Sequence, residues 1–351
     1  MKRSILLTAL MLIIILGCSE TDDPIIPPPP ANSSGVYVVN EGAFTQNNAS
    51  LSYKNLEDGT VTNNAYSSAN NGNPLGDNAN SMTIFGSKGY IAVDNSNKVE
   101  IINLDDFVSF GFIDLGMNGS PREIYVKDDS TAYVTSLNLD QVAKLDLQAK
   151  TVTTRIDVGT KPEGMREANG KLFVANSGFG FDNTVSVIDM ASDMVVATLQ
   201  VGLNPRIVLN GIDNFIYIVC SGSFSDSTIF SGIYKIDPAA NVVVDSIQVK
   251  KTPGEACFID ATTMLVVNSD GAVKVDLTTK SVSATPLILG TTVNSIFGVI
   301  ISISYDMFRS VIYCGNPKDF SQIGEVVTFD LNGDETGRFN VGINPGTIVI
   351  R

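Results

Sequence analysis

Charged side chains that recur at one position of a repeat are the first candidates for chemistry in this chain. Arg122, Glu163 and Arg206 each directly follow a proline, and Glu123 and Glu255 come one position later. A guanidinium offers a fork of N–H donors and a carboxylate only acceptors. Residues of alternating sign at such positions either pair with one another or form a polar floor for a ligand's amides or phosphate. A second set is aromatic and polar. Phe44 stands with Gln46, Asn47 and Asn48, Phe179 and Phe181 with Asp182, Phe224 and Phe230 with Asp226, and Phe320 with Asp319 and Gln322. These clusters suit a large, partly apolar ligand with hydrogen-bonding arms, the rings supplying area and the amides orientation. The alternative is that each ring folds back into its own loop as a hydrophobic pin.

What is absent narrows the chemistry. The 351 residues include no His and no Trp, so His general bases, Ser-His-Asp triads and His-ligated metals are excluded. Cys220, Cys257 and Cys314 lie in separate β-patterned runs without zinc-type spacing; they read as small core hydrophobes, and an odd number cannot form a complete intramolecular disulfide set. Asp330-Leu-Asn-Gly-Asp334 has oxygen-ligand character but lacks the full calcium loop, and reads as a turn. Neither a metal nor a cofactor is expected. A carboxylate-only hydrolase using Glu163 and Glu255 is the remaining enzymatic option, but no spacing sets them at a catalytic separation. The expectation is a binding protein, not an enzyme.

The elements that must position these residues are short strands in a repeat. Pro162 to Pro205 is 43 positions, and each period holds four β-patterned runs separated by Gly, Asn, Asp and Pro, the signature of propeller blades. A middle-strand pattern occurs seven times, at Val36–Asn40, Tyr90–Asp94, Ala132–Ser136, Leu172–Asn176, Ile216–Cys220, Met264–Asn268 and Val311–Gly315. Six of these are followed by a paired run ending in Asn103, Asp146, Asp189, Asp237, Asp276 or Asp330. Asp or Asn at one repeat position indicates turn closure rather than metal sites. The chain opens on a second-strand pattern and ends on a first-strand pattern, Pro345–Ile350, so the last strand can complete the first blade and close the ring. The predicted fold is all-β: a seven-bladed propeller of four-stranded blades over 35–351. The long connections Glu41–Ser50, Ser177–Asn183, Ser221–Ser231 and Asn316–Ile323 fall on one face of such a ring. That face is the candidate site, because function concentrates on loops held by a rigid scaffold. Arg122, Glu163, Arg206 and Glu255 would stand at the mouth of its central channel.

Residues 1–17 read as a signal peptide: Lys2 and Arg3 precede an apolar run, Ile5–Leu16, too short to span a bilayer comfortably. Gly17-Cys18 resembles a lipobox, in which Cys18 is lipidated and becomes the mature N-terminus. Residues 18–34, with Glu20, Asp22, Asp23 and Pro27–Pro30, read as an acidic, Pro-rich tether. Losing Lys2 and Arg3 takes the net charge of −14 to −16. Such an acidic chain is no nucleic-acid binder, meets the membrane through its anchor alone, and favours neutral or cationic partners.

Val158-Gly159-x-x-Pro162, Leu172-Phe-Val-Ala-Asn176 and Thr184-Val-Ser-Val-Ile-Asp189 resemble the YVTN-repeat (YncE-like) propellers over nearly the whole mature chain. Asn80 near the proline position of blade two and Gly290–Asn294 in the sixth-to-seventh interval depart from the pattern. With the lipobox, the acidic stretch and Val36-Tyr-Val-Val-Asn-Glu-Gly42, the chain resembles Bacteroidetes surface propeller lipoproteins, including the BtuG cobalamin-binding group. The resemblance implies a lipid-anchored outer-membrane protein at the cell surface or facing the periplasm. It implies capture of cobalamin or another corrinoid for a TonB-dependent outer-membrane transporter. An adhesion or envelope propeller binding protein or glycan is the alternative.

Overall fold

The computed structural model describes residues 34–351; the proposed signal peptide, Cys18 and nearly all of the tether lie outside them. Seven antiparallel sheets follow one another around a ring. Blade one holds β1 (Gly35–Asn40), β2 (Ser50–Asn55) and β3 (Val61–Thr62), and a short helix α1 (Ala65–Ala69) leads out of it. Blade two is β4 (Ala79–Phe85), β5 (Lys88–Val93), β6 (Lys98–Asn103) and β7 (Ser109–Asp114), and blade three β8 (Pro121–Val126), β9 (Thr131–Ser136), β10 (Gln141–Asp146) and β11 (Thr151–Asp157). Blade four is β12 (Pro162–Ala168), β13 (Lys171–Asn176), β14 (Thr184–Asp189) and β15 (Met194–Gln200). Blade five is β16 (Pro205–Asn210), β17 (Ile216–Cys220), β18 (Gly232–Asp237) and β19 (Val242–Gln248). Blade six is less regular, with β20 (Ala256–Phe258), β21 (Thr263–Asn268), β22 (Gly271–Asp276), β23 (Ser281–Val282) and β24 (Ile288–Leu289), followed by the single turn α2 (Gly290–Val293). Blade seven is β25 (Ser302–Asp306), β26 (Val311–Asn316), β27 (Ile323–Phe329) and β28 (Glu335–Ile343). The last strand, β29 (Pro345–Ile350), pairs antiparallel with β1 and completes blade one. The ring closes as the sequence predicts.

One aromatic or leucine per middle strand drives the packing. Tyr37, Tyr90, Tyr133, Phe173, Tyr217, Leu265 and Tyr313 are all buried. The buried apolar residues form seven clusters, each drawn from two consecutive blades. The core is therefore a set of blade-to-blade interfaces, and no blade can bury its faces alone. The turn acids behave as the repeat suggests: Asp146 accepts from the amides of Gln148 and Ala149, and Asp237 from those of Ala239 and Ala240. Hydroxyls tie neighbouring inner strands together. Thr83 donates to the Ile124 carbonyl at 2.7 Å, Ser304 to Ile348 at 2.7 Å and Thr347 to Asn80 at 2.6 Å.

Cys220 and Cys314 are buried, in line with the sequence reading. Cys257 departs from it. Only half-buried, it stands on the short inner strand β20 and borders the central cavity; blade six has three inner-strand residues where the other blades have five to seven.

Candidate functional site: the channel mouth and its loops

The inner strands begin with an irregularity. Partner registers shift between Ala79 and Ser81, Pro121 and Ile124, Pro162 and Met165, and Pro205 and Ile207. The residues caught in these bulges are Asn80, Arg122 with Glu123, Glu163 with Gly164, and Arg206. A bulge takes a residue out of the ladder and re-aims its side chain. Here it points the charged positions at the ring axis instead of into the blade interfaces. They border a central cavity of about 870 Å³, together with Glu41, Arg166 and Glu255. Apolar side chains from the Gly298–Ile303 segment and from β29 complete its wall.

Arg122 is the most engaged of these groups. Its Nε donates to Glu163 Oε2 at 2.9 Å, and its Nη1 to Asn80 Oδ1 at 2.8 Å and Asp94 Oδ2 at 3.1 Å. Asp94 is steadied in turn by the Ser120 hydroxyl and the Asn78 amide. Burial works against the charged guanidinium, but Glu163 and Asp94 more than offset it, and its pKa lies above the ordinary arginine value. One layer deeper, Arg166 Nη1 donates to Glu123 Oε1 at 2.7 Å. Pairing of opposite signs between neighbouring blades therefore holds for Arg122 with Glu163.

Across the mouth the carboxylates are less settled. Burial raises the Glu41 carboxyl above its usual range, although Arg122 and Arg206 pull it down. Glu41 accepts from Asn344 Nδ2 at 3.2 Å and leans over Gly346, where an added Cβ would sit 2.5 Å from Oε1. Glycine at that repeat position makes room for this acid. Glu255 is pushed up to about 7, chiefly by burial; Arg206 opposes the rise, and Glu123, Glu41 and Glu163 add to it.

The predicted loop residues stand on connections at the end of the ring where the inner strands start, and none of them lines the cavity. Connections of that face touch one another: Thr160 N donates to Asp182 Oδ2 at 2.9 Å, and Asn294 Nδ2 to the Lys318 carbonyl at 2.9 Å. Phe44, Phe179, Phe181, Phe224 and Phe320 are exposed, Phe181 at 93%. Lys161 approaches the Phe179 ring at 5.9 Å. Phe320 lies 6.0 Å from Phe297, which is also exposed. Asn47 is exposed, with a left-handed φ of 51°. Phe230 is different: half-buried, it packs edge-on against Tyr234 at 5.6 Å, the pin arrangement. The two acids are engaged in their own loops. Asp182 also accepts from the amides of Asn183 and Thr184, and Asp226 closes a turn onto Thr228. Asn80, Asp94, Glu41 and Arg166 were missing from the sequence-level site. Asn80 and Gly346 occupy, in their own inner strands, bulges equivalent to that of Arg122, and that alignment was the available signal for Asn80.

Comparison with known proteins supports this architecture. A hydrazine synthase chain from Kuenenia stuttgartiensis is similar over 76% of this chain and 87% of its own, at 17% identity and a TM-score of 0.64. A quinoprotein alcohol dehydrogenase-like protein from Bacteroides thetaiotaomicron is similar over 91% and 78%, at 14% identity and 0.68. A functionally unknown protein from Desulfotomaculum acetoxidans is similar over 74% and 81%, at 13% and 0.56. At these identities the likeness speaks for the propeller alone. No curated protein matches the chain. The model of one family matches residues 34–261, well over half of the sequence. The chain belongs to that family, described as a domain of unknown function, DUF5074.

Proposed function

We propose that this protein is a non-enzymatic capture propeller that binds a ligand on the long-loop face, seated at the channel mouth. The observation that carries the reading is a cavity of about 870 Å³ with a charged and polar lining, at the end of the ring where the inner strands start; the five exposed phenylalanines stand on connections at that same end and outside the cavity lining. The volume suits a sizeable organic ligand, and the mixture of apolar wall and fixed polar groups is what such sites use. The resemblance to the BtuG group makes a corrinoid the first ligand to try: its flat macrocycle would lie against the rings and its amides against the polar rim. On this reading Cys18 carries the lipid anchor at the outer membrane, and the bound corrinoid passes to a TonB-dependent transporter. Calorimetric titration of the purified protein with cyanocobalamin tests this. One-to-one binding weakened by Phe179→Ala or Phe224→Ala supports it; no heat and no change in Tm removes the corrinoid.

A second reading is favoured by one patch. Leu289, Ile296, Phe297, Phe320 and Ile323 are all exposed around blades six and seven, and such apolar patches often mark macromolecular contacts. An adhesion module of the cell envelope would use this surface, and would retain a cell-surface partner while binding no corrinoid.

A further inference from the structure

Three arginines border the cavity, and two of them are spoken for. Arg122 donates to Glu163, Asn80 and Asp94, and Arg166 to Glu123 and to the Met165 carbonyl at 2.7 Å. Among the described residues the Arg206 guanidinium makes neither a hydrogen bond nor an ion pair. We propose that Arg206 is the docking point for an oxyanion, a carboxylate or a phosphate ester, carried by the ligand that enters the channel. This rests on reading the cavity as the ligand's seat.

Strand register explains why Arg206 is free. Ala79, Pro121, Pro162 and Pro205 open their inner strands at equivalent positions, facing Val93, Ser136, Asn176 and Cys220. Arg122 therefore draws Asn80 and Asp94 from the preceding blade and Glu163 from the following one. The equivalents around Arg206 are Glu163, Ser177 and Gly254. Glu163 is already bonded to Arg122, the Ser177 hydroxyl is bonded to the Lys161 carbonyl, and Gly254 has no side chain. The same position in the repeat thus yields one saturated guanidinium and one with its planar fork open to the cavity. That fork matches a carboxylate or phosphate in two parallel bonds.

The groups facing Arg206 set how binding should vary with pH. Those that share the cavity lining with it are Glu41 after β1, Arg122 and Glu123 on β8, Glu163 and Arg166 on β12, Glu255 before β20, Cys257 on β20 and Tyr305 on β25, with Asp94 held behind Arg122. Burial pushes the Cys257 thiol up to about 12, so it stays neutral throughout. Glu255, pushed up to about 7, changes charge between pH 6 and 8 and competes for Arg206 only when ionised. Oxyanion binding is therefore tighter at pH 6.

The test is NMR of the arginine Nε–H signals in the full chain, titrated with acetate and separately with sulfate, whose charges are constant between pH 6 and 8. The expected result is a saturable shift at one signal that is missing in Arg206→Gln. Affinity should be several-fold higher at pH 6 than at pH 8, and Glu255→Gln should hold it at the tighter value at both. Arg206→Lys keeps the charge without the fork, and should lose affinity for both anions while retaining more of it than Arg206→Gln. Preference of the native chain for acetate or for sulfate identifies a carboxylate-type or an ester-type ligand. No saturable shift, equal shifts at Arg122 and Arg166, or affinity unchanged in Arg206→Gln would overturn the assignment. Oxyanion binding without cyanocobalamin binding would leave this site standing and remove only the corrinoid.

Discussion

Two quarters of the channel mouth begin from the same sequence position and end in opposite states. Between blades two and four, Arg122 sits in a bulge, is bonded to three side chains, and is a structural tie across three sheets. Between blades four and six, Arg206 occupies the equivalent bulge with none of those partners, and faces a carboxyl pushed up to about 7. A repeat dictates where a side chain points, but the neighbouring repeats decide whether its charge is consumed. A saturated and an unpaired guanidinium can therefore share one motif position, and only the pairing around the ring separates them.

The largest expected effect tests that difference directly. Arg122→Ala leaves Asp94 and Glu163 in the wall without their cation and should cost about 3–5 kcal/mol in urea unfolding. Arg206→Ala removes no bond and should cost about 0.5 kcal/mol or less. Equal losses would erase the distinction.

Glu255 gives the next effect. Its folded pKa of about 7 lies above the ordinary 4.5, so the folded chain holds this proton more tightly than the unfolded one. The resulting stabilisation is fully present below about pH 4.5 and is lost as pH rises through about 7. Glu255→Gln should make the protein about 1–2 kcal/mol more stable than the native chain at pH 8, relative to their difference at pH 4.5, after allowance for the solvent-lined channel. Urea midpoints at the two pH values check this; parallel curves for the two proteins would mean that the carboxyl titrates normally.

The loops show the same contrast on a smaller scale. Asp182 is occupied, accepting from the backbone of Thr160, Asn183 and Thr184, whereas Phe181 touches little. Asp182→Ala should lower stability by about 1 kcal/mol, and Phe181→Ala should leave Tm within error. If both leave Tm unchanged, the loop is not braced by its acid.

The fold was legible because its signals are local and recur. An aromatic beside β-branched residues, an Asp or Asn closing the next turn and a proline entrance return in most blades, and the orphan first strand at Pro345–Ile350 announces the closure. Much of the site was legible too, since the residue after the proline names Arg122, Glu163 and Arg206. Asp94 was not: it ends a middle strand, where an acid ordinarily reads as turn chemistry, and its partner comes from the next blade 28 residues away. The free state of Arg206 was hidden for the same reason, because it depends on which residues two other repeats place opposite. The fate of Phe230 turned on a ring contact with Tyr234 that spacing alone does not reveal.

The smallest stability effect carries the sharpest test of how the two quarters differ. Gly254 holds the register position in blade six that Glu163 holds in blade four, and a Cβ there would meet nothing within 4 Å. Gly254→Glu should therefore be accommodated without repacking, changing stability by about 0.5 kcal/mol or less. It would give Arg206 the carboxylate that Arg122 already has. The variant should then lose the acetate- and sulfate-induced shift of the Arg206 Nε–H signal while its Arg122 signal stays where it was. If Arg206 still takes up oxyanions beside the new carboxylate, the missing partner is not what keeps it open, and the shape of the channel wall must be holding the guanidinium out of reach.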